Sequence, residues 1–100
     1  MHARVSTYRG SAESIERSLA QSDEIAAVVR AIDGSRGLIY LIDRASGKSL
    51  SITLWDSTES MQASEEAADR LRRDSSESAG ETIEAVERYE VSLFDVAAQT

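Results

Sequence analysis

Trp55, Tyr8, Tyr40 and the arginines Arg70, Arg72 and Arg73 are the residues whose types could do chemistry in this chain. An indole offers a flat wall for a ligand, a phenol offers a proton donor, and a guanidinium holds an anion. Each also has a purely structural reading. Trp55 can fix a strand-to-helix corner, and the two tyrosines can be core aromatics with satisfied hydroxyls. The arginines can form a solvated helix face on which Glu66 pairs with Arg70 at i,i+4. Arg88 and Glu90 stand at alternate positions of one strand face, where they either meet a ligand or form an ion pair. Other chemistries are excluded. Without cysteine there is no disulfide, thiolate zinc site, iron–sulfur cluster or thiol nucleophile. The single histidine is His2. Glu65-Glu66 reads as a solvated acidic face, because a hard-metal site needs several converging oxygens, so no metal is expected. Gly34-Ser35-Arg36-Gly37 ends a helix instead of opening one, so it is not a phosphate loop.

The elements that must position these groups belong to a short chain with a thin core. Of 100 residues, 21 are Leu, Ile, Val or Phe, just above the roughly 20% below which chains tend to be disordered. One domain over residues 1–100 is expected, with 95–100 as a tail, and a partner subunit would help to bury its surface. The net charge is −7, and it is uneven: Met1–Trp55 carries 6 acids and 7 bases, Asp56–Thr100 carries 12 acids and 4 bases. An acidic half repels phosphate backbones, and Trp55 alone cannot supply a stacking platform, so no nucleic-acid role is expected. No apolar stretch reaches membrane-spanning length, and Met1–Gly10 has no apolar signal core, so a cytoplasmic location is expected.

Residues 3–9 alternate and are β-prone. Gly10 ends that strand, and Ser11 suits a helix N-cap with Glu13 in the first turn. Ile15 and Leu19, then Ile25, Val28, Val29 and Ile32, carry helical spacing. The polar Gln21-Ser22-Asp23 marks a point where this helix can kink. Leu38–Ile42 is a continuous apolar run of strand length, which predicts burial on both faces. Residues 44–48 predict a hairpin with Gly47 at positive φ. Ser49–Trp55 alternates cleanly, with Leu50, Ile52 and Leu54 on one face and Ser51, Thr53 and Trp55 on the other. A second helix opens at Asp56 or Ser57, with Asp56 and Glu59 at capping-box spacing. In that helix Met61 reads as a gap-filler of the core. Ser75–Gly80 predicts a polar loop, Thr82–Phe94 a long fourth strand, and Val96–Thr100 a tail.

The order β-α-β-β-α-β is the ferredoxin-like plan, an α+β class with an antiparallel sheet. Both helices then cover one sheet face. The apolar set Val5, Leu50, Ile52, Leu54, Tyr89, Val91 and Leu93 is expected beneath them. Ser6, Tyr8, Ser51, Thr53, Trp55, Arg88, Glu90, Ser92 and Phe94 are expected on the open face.

The run Leu54-Trp55-Asp56-Ser57-Thr58-Glu59-Ser60-Met61, a strand ending in Trp followed by an acid, a serine and a helix start, resembles the small antibiotic biosynthesis monooxygenase-like proteins. The element order matches over nearly the whole chain, about Ala3 to Phe94. The resemblance implies a homodimeric α+β barrel in which two sheets face each other and enclose what one copy leaves open. Some members are cofactor-free oxygenases of polycyclic phenols, in which the deprotonated substrate supplies the electrons and the protein supplies a dry pocket and a few donors. Their pocket Trp, Asn, Tyr and Arg fall on Trp55, Ser51, Met61 and Arg72. With Tyr8 and Tyr40 these are the candidate pocket-lining residues, a small aromatic molecule the candidate ligand, and no cofactor is required. Other members degrade haem with a His of the second helix, and no His lies between Gln62 and Gly80. The alternative is a non-catalytic homodimer with a structural, regulatory or protein-binding role. The presence or absence of a cavity separates the two.

Overall fold

The computed structural model describes residues 1–97. Alternating side chains make His2–Arg9 a strand, β1. Gly10 releases the chain, and extended Ser11 caps α1, Ala12–Arg30, its Oγ accepting from the Ser14 amide at 3.2 Å. The polar triplet at 21–23 does not break this helix. The Ser22 hydroxyl donates to the Leu19 carbonyl (2.9 Å), and the Gln21 amide donates to the Ser75 carbonyl (3.1 Å).

β2, Ser35–Asp43, and β3, Lys48–Trp55, form the expected hairpin. Gly47 sits at φ +77°, and a Cβ there would lie 1.9 Å from the Gly10 carbonyl oxygen, so only glycine allows the Gly10 amide to bond to the Gly47 carbonyl at 2.9 Å. This contact ties the hairpin tip to the start of α1.

The second helical region is two helices, α2, Thr58–Ala63, and α3, Glu65–Ala79. The capping box closes one residue later than its spacing predicts. Ser57 and Ser60 exchange amide-to-hydroxyl bonds at 3.1 and 3.3 Å, and the Asp56 carboxylate accepts from the Ser60 hydroxyl instead. Residues 75–79, read as loop because they are polar, are the last turns of α3, with Ser76 and Ala79 buried and Gly80 as its left-handed C-cap. The last strand, β4, is Thr82–Glu90 and stops short of Phe94. The Val91 amide then bonds to the Met1 carbonyl at 3.0 Å. Of the expected tail, residues 98–100 lie outside the described residues.

The four strands form one antiparallel sheet in the order β2-β3-β1-β4, which is the ferredoxin-like α+β plan. Its register pairs Arg4 with Thr53 and Ser6 with Ser51, and Tyr40 with Ser51. The two sets of face-sharing residues follow the alternation, but the helices cover the opposite set. Arg4, Ser6, Tyr8, Ser49 and Trp55 are buried, and α1 and α3 contribute the other walls of the space above them. The uncovered face carries Val5, Leu50 and Ile52, with Ile39, Leu41 and Tyr89 exposed by 44%, 46% and 51%. The inversion has a physical basis. The helices bring polar partners to the polar face, Arg72 to Ser6 and Glu65 to Arg4, whereas on the apolar face Ala3 and Leu54 are buried and the rest is left half-buried or exposed. The expectation that both faces of β2 are buried fails: Ile39 and Leu41 are exposed on the open side, and on the helix side Leu38 and Tyr40 are only half-buried and Ile42 is exposed. Among the described residues no helix is long and apolar enough to cross a membrane.

Candidate functional site

The space between the sheet and the helices is a cavity of about 90 Å³. β1 contributes Arg4, Ser6 and Tyr8 to its floor, β3 contributes Ser51, Thr53 and Trp55, and β2 contributes Leu38 and Tyr40. These positions meet because each strand presents every second side chain to the same face and the register sets them side by side. α1 supplies Ile25 and Val29, and α3 supplies Leu71 and Arg72. Of the candidate residues, Trp55, Ser51, Tyr8, Tyr40 and Arg72 come together in this one wall. Met61 does not: it is 4% exposed and packs outside the cavity, where its carbonyl accepts from Arg4 Nη2 at 2.8 Å.

Trp55 is fully buried. Its indole N–H donates to Thr53 Oγ1 at 3.0 Å, which fixes the ring on the same strand face. Arg4 stacks over it, with Cζ 5.4 Å from the ring centroid, a cation–π contact strengthened by burial. Arg4 was not among the residues singled out above, although it has the same parity as Ser6 and Tyr8 on β1. Its side chain is 2% exposed. Nη2 donates to the Met61 carbonyl, to Ser64 Oγ at 3.1 Å and to Glu65 Oε1 at 2.9 Å. Its guanidinium therefore latches β1 to the α2–α3 junction.

Glu65 is shared. Arg88 of β4 grips both of its oxygens at 2.7 Å, and Arg4 adds a third bond. Chiefly through the Arg88 hydrogen bonds, with Arg4 second and against the opposing effect of burial, the Glu65 carboxyl is pulled down to about 2. Burial pushes Arg4 below the ordinary arginine range, opposed by its bond to Glu65 and reinforced by the neighbouring charges of Arg72 and Arg88. The Glu65 bonds push Arg88 up. Arg72, 7% exposed, donates from Nε to Ser6 Oγ at 3.2 Å and from Nη1 to Asp69 Oδ1 at 3.3 Å. The ionic reading of Arg88 is the observed one, with Glu65 as its partner. At the other end of the cavity, Glu81 accepts from Ser18 Oγ at 2.9 Å and Ser49 Oγ at 3.3 Å. The Tyr8 and Ser51 hydroxyls are 3.5 Å apart. The arrangement is a mostly apolar slot with a cationic end and an acidic end.

No family model matches the sequence. Two uncharacterised proteins of Mycobacterium tuberculosis, one from each of two strains, are each 31% identical over 95 residues, which is 94% of this chain and 42% of theirs. The chain thus spans less than half the length of the curated relatives it matches. Among solved structures, a provisionally named antibiotic biosynthesis monooxygenase from Deinococcus radiodurans superposes with a TM-score of 0.73 at 20% identity, covering 99% of this chain and 100% of that one. The chain has the fold of the antibiotic biosynthesis monooxygenase-like proteins. The haem-degrader MhuD of Mycobacterium tuberculosis, solved with two haems bound in its active site, shares this monooxygenase-like fold with a TM-score of 0.72 at 19% identity, over 97% of this chain and 100% of that one.

Haem does not fit this chain's cavity. Its volume of about 90 Å³ lies below the roughly 300 Å³ at which pockets for drug-sized ligands begin. The wall holds no His, Cys or Met. The one His, His2, bonds through Nε2 to Thr58 Oγ1 at 2.9 Å, away from the cavity. Among the described residues no three His, Cys, Asp or Glu side chains cluster as a metal site.

Proposed function

We propose that this chain is a small-molecule-binding protein, cytoplasmic and homodimeric, in which each copy holds a ligand of about one ring between its own helices and its sheet. The observation that carries the reading is the cavity under α1 and α3, floored by Trp55, Tyr8 and Tyr40 and edged by a few convergent polar groups. Apolar walls with a small number of placed polar groups are the usual composition of a ligand site. The open apolar face serves the other half of the proposal. Val5, Ile39, Leu41, Leu50 and Ile52 make a continuous surface that a second copy covers, closing an α+β barrel by twofold symmetry. The barrel then stabilises the chain without housing the ligand.

Because Trp55 is the only tryptophan, its fluorescence reports directly on the cavity. Titration with phenol, catechol and benzamide is expected to give saturable changes in emission. Oxygen uptake with monocyclic and polycyclic quinols asks whether bound substrate is also oxidised. Flat titrations across all ring compounds would remove the ligand-binding reading and favour the purely structural homodimer.

A further inference from the structure

We infer that the ligand of this cavity carries a protonated amine, a single ring bearing an ammonium group that is held by Glu81. The inference rests on the cavity being a ligand site. Of the 18 acids in the chain, all but Glu65 and Glu81 are exposed. These two differ in what meets them. Glu65 is gripped by Arg88 and Arg4. Glu81 forms no ion pair among the described residues. A carboxylate withdrawn from water is costly to leave without a counter-charge.

The head of Glu81 is turned inward. The residue stands between Gly80, the left-handed cap of α3, and the start of β4, and its amide donates to the Ser76 carbonyl at 2.8 Å, which fixes its place. Oε1 accepts from Ser18 of α1 at 2.9 Å, and Oε2 accepts from Ser49 of β3 at 3.3 Å. Ser18 is 6% exposed and Ser49 has no exposed surface. A carboxylate bonded to both lies beneath α1, where Glu81 and Ser18 are part of the cavity wall. Each oxygen meets one hydroxyl, and a carboxylate offers about four lone-pair sites, so acceptor capacity remains. The basic residue beside Ser18 does not supply the charge, because Arg17 donates its Nε to the Ala79 carbonyl at 3.0 Å.

The surroundings narrow the class of ligand. Tyr8 pairs with Ser49 across the β1–β3 ladder and also lines the cavity, and its ring adds attraction for a cation. Ile25, Val29 and Leu38 are apolar walls against which a ring can lie. Ser51, opposite Tyr40, is two residues along β3 from Ser49, about 7 Å at roughly 3.3 Å per residue. The apolar walls and the carboxylate are thus within reach of one small molecule.

The test is calorimetric titration of the whole chain at pH 7 with benzylamine, which is cationic there, and with its neutral and anionic analogues, benzyl alcohol and benzoate. Benzylamine is expected to bind one site per chain, about tenfold or more tighter than either analogue. Glu81→Gln is expected to abolish that preference and to leave benzyl alcohol binding unchanged. If Glu81→Gln does not fold, the unaltered chain still decides through competition, with benzyl alcohol expected to displace benzylamine as read from Trp55 emission. Benzyl alcohol or benzoate binding as tightly as benzylamine would overturn the amine assignment and leave the cavity as a ligand site. A preference that persists in Glu81→Gln, or benzylamine that benzyl alcohol does not displace, would put the cation on the acidic surface and overturn the assignment as well. No binding by any of the three would overturn both the assignment and the reading it rests on.

Discussion

The two faces of the sheet use opposite kinds of residue for opposite ends. The face beneath α1 and α3 is rich in serine, threonine, arginine and tyrosine, and it is the buried one: Trp55 and Ser49 show no exposed surface. The face of Val5, Ile39, Leu41, Leu50 and Ile52 is apolar, and a single copy leaves much of it in water. Polar groups are tolerated under helices when each finds a partner, as Ser6 does in Arg72 and Ser49 in Glu81. Among the described residues the buried side-chain atoms left without a partner are His2 Nδ1 and Arg4 Nε and Nη1. Apolar groups have no such requirement, and their exposure marks a surface awaiting cover. Burial on one face and the self-association proposed for the other are therefore separable, and substitutions should separate them.

The largest effect belongs to the covered face. Trp55→Ala empties a buried indole site and is expected to destabilise the fold by about 3–5 kcal/mol, read as a fall in the denaturant midpoint at unchanged m. A loss below about 1 kcal/mol would mean that Trp55 is not packed as described. Leu41→Asp addresses the open face. Leu41 is 46% exposed in one copy, so the single-chain fold should barely change, while self-association weakens at least a hundredfold, about 2.7 kcal/mol. Sedimentation at micromolar concentration should show the variant as monomer and the parent as dimer. A parent that is already monomeric would break the comparison on this side.

A smaller, pH-dependent effect sits at the edge of the covered face. Glu65 ionises at about 2 when folded against an ordinary value of 4.5. Its folded value is depressed, so its contribution is fully present above pH about 4.5 and is lost as the pH falls toward 2. The shift corresponds to at most about 3 kcal/mol, and solvent at its exposed third reduces that to about 1–2 kcal/mol. The stability difference between the parent and Glu65→Gln should shrink across that window. A difference that stays constant from pH 6 to 2.5 would show that the Arg88–Glu65–Arg4 link contributes nothing.

Much of this was legible in the residues. Period-two alternation grouped Ser51, Thr53 and Trp55 apart from Leu50, Ile52 and Leu54, and Gly47 marked the hairpin. The same alternation says nothing about which group the helices cover. Hydrophobicity argued for the apolar group, and the helices overrode it by bringing Arg72 to Ser6 and Glu65 to Arg4 and Arg88 on the polar one. The apolar run 38–42 could not reveal that its strand lies at the sheet edge, because pairing partners are not written in a single segment. The break at Ser64 carries no Gly or Pro, and the polar end of α3 resembled a loop because its buried residues, Ser76 and Ala79, are small. Arg4 was the missed residue of the site. Its parity with Ser6 and Tyr8 was the available signal, but only the fold shows that its guanidinium is buried and incompletely bonded.

Acrylamide quenching of Trp55 fluorescence, measured while the protein is diluted from micromolar to nanomolar concentration and again in Leu41→Asp, tests the separation of the two faces without reference to any ligand. Shielding by α1 and α3 predicts blue-shifted emission and weak quenching that stay the same whether one copy or two are present. Emission that shifts to the red and becomes readily quenched as copies separate would place Trp55 inside the association surface and contradict the account.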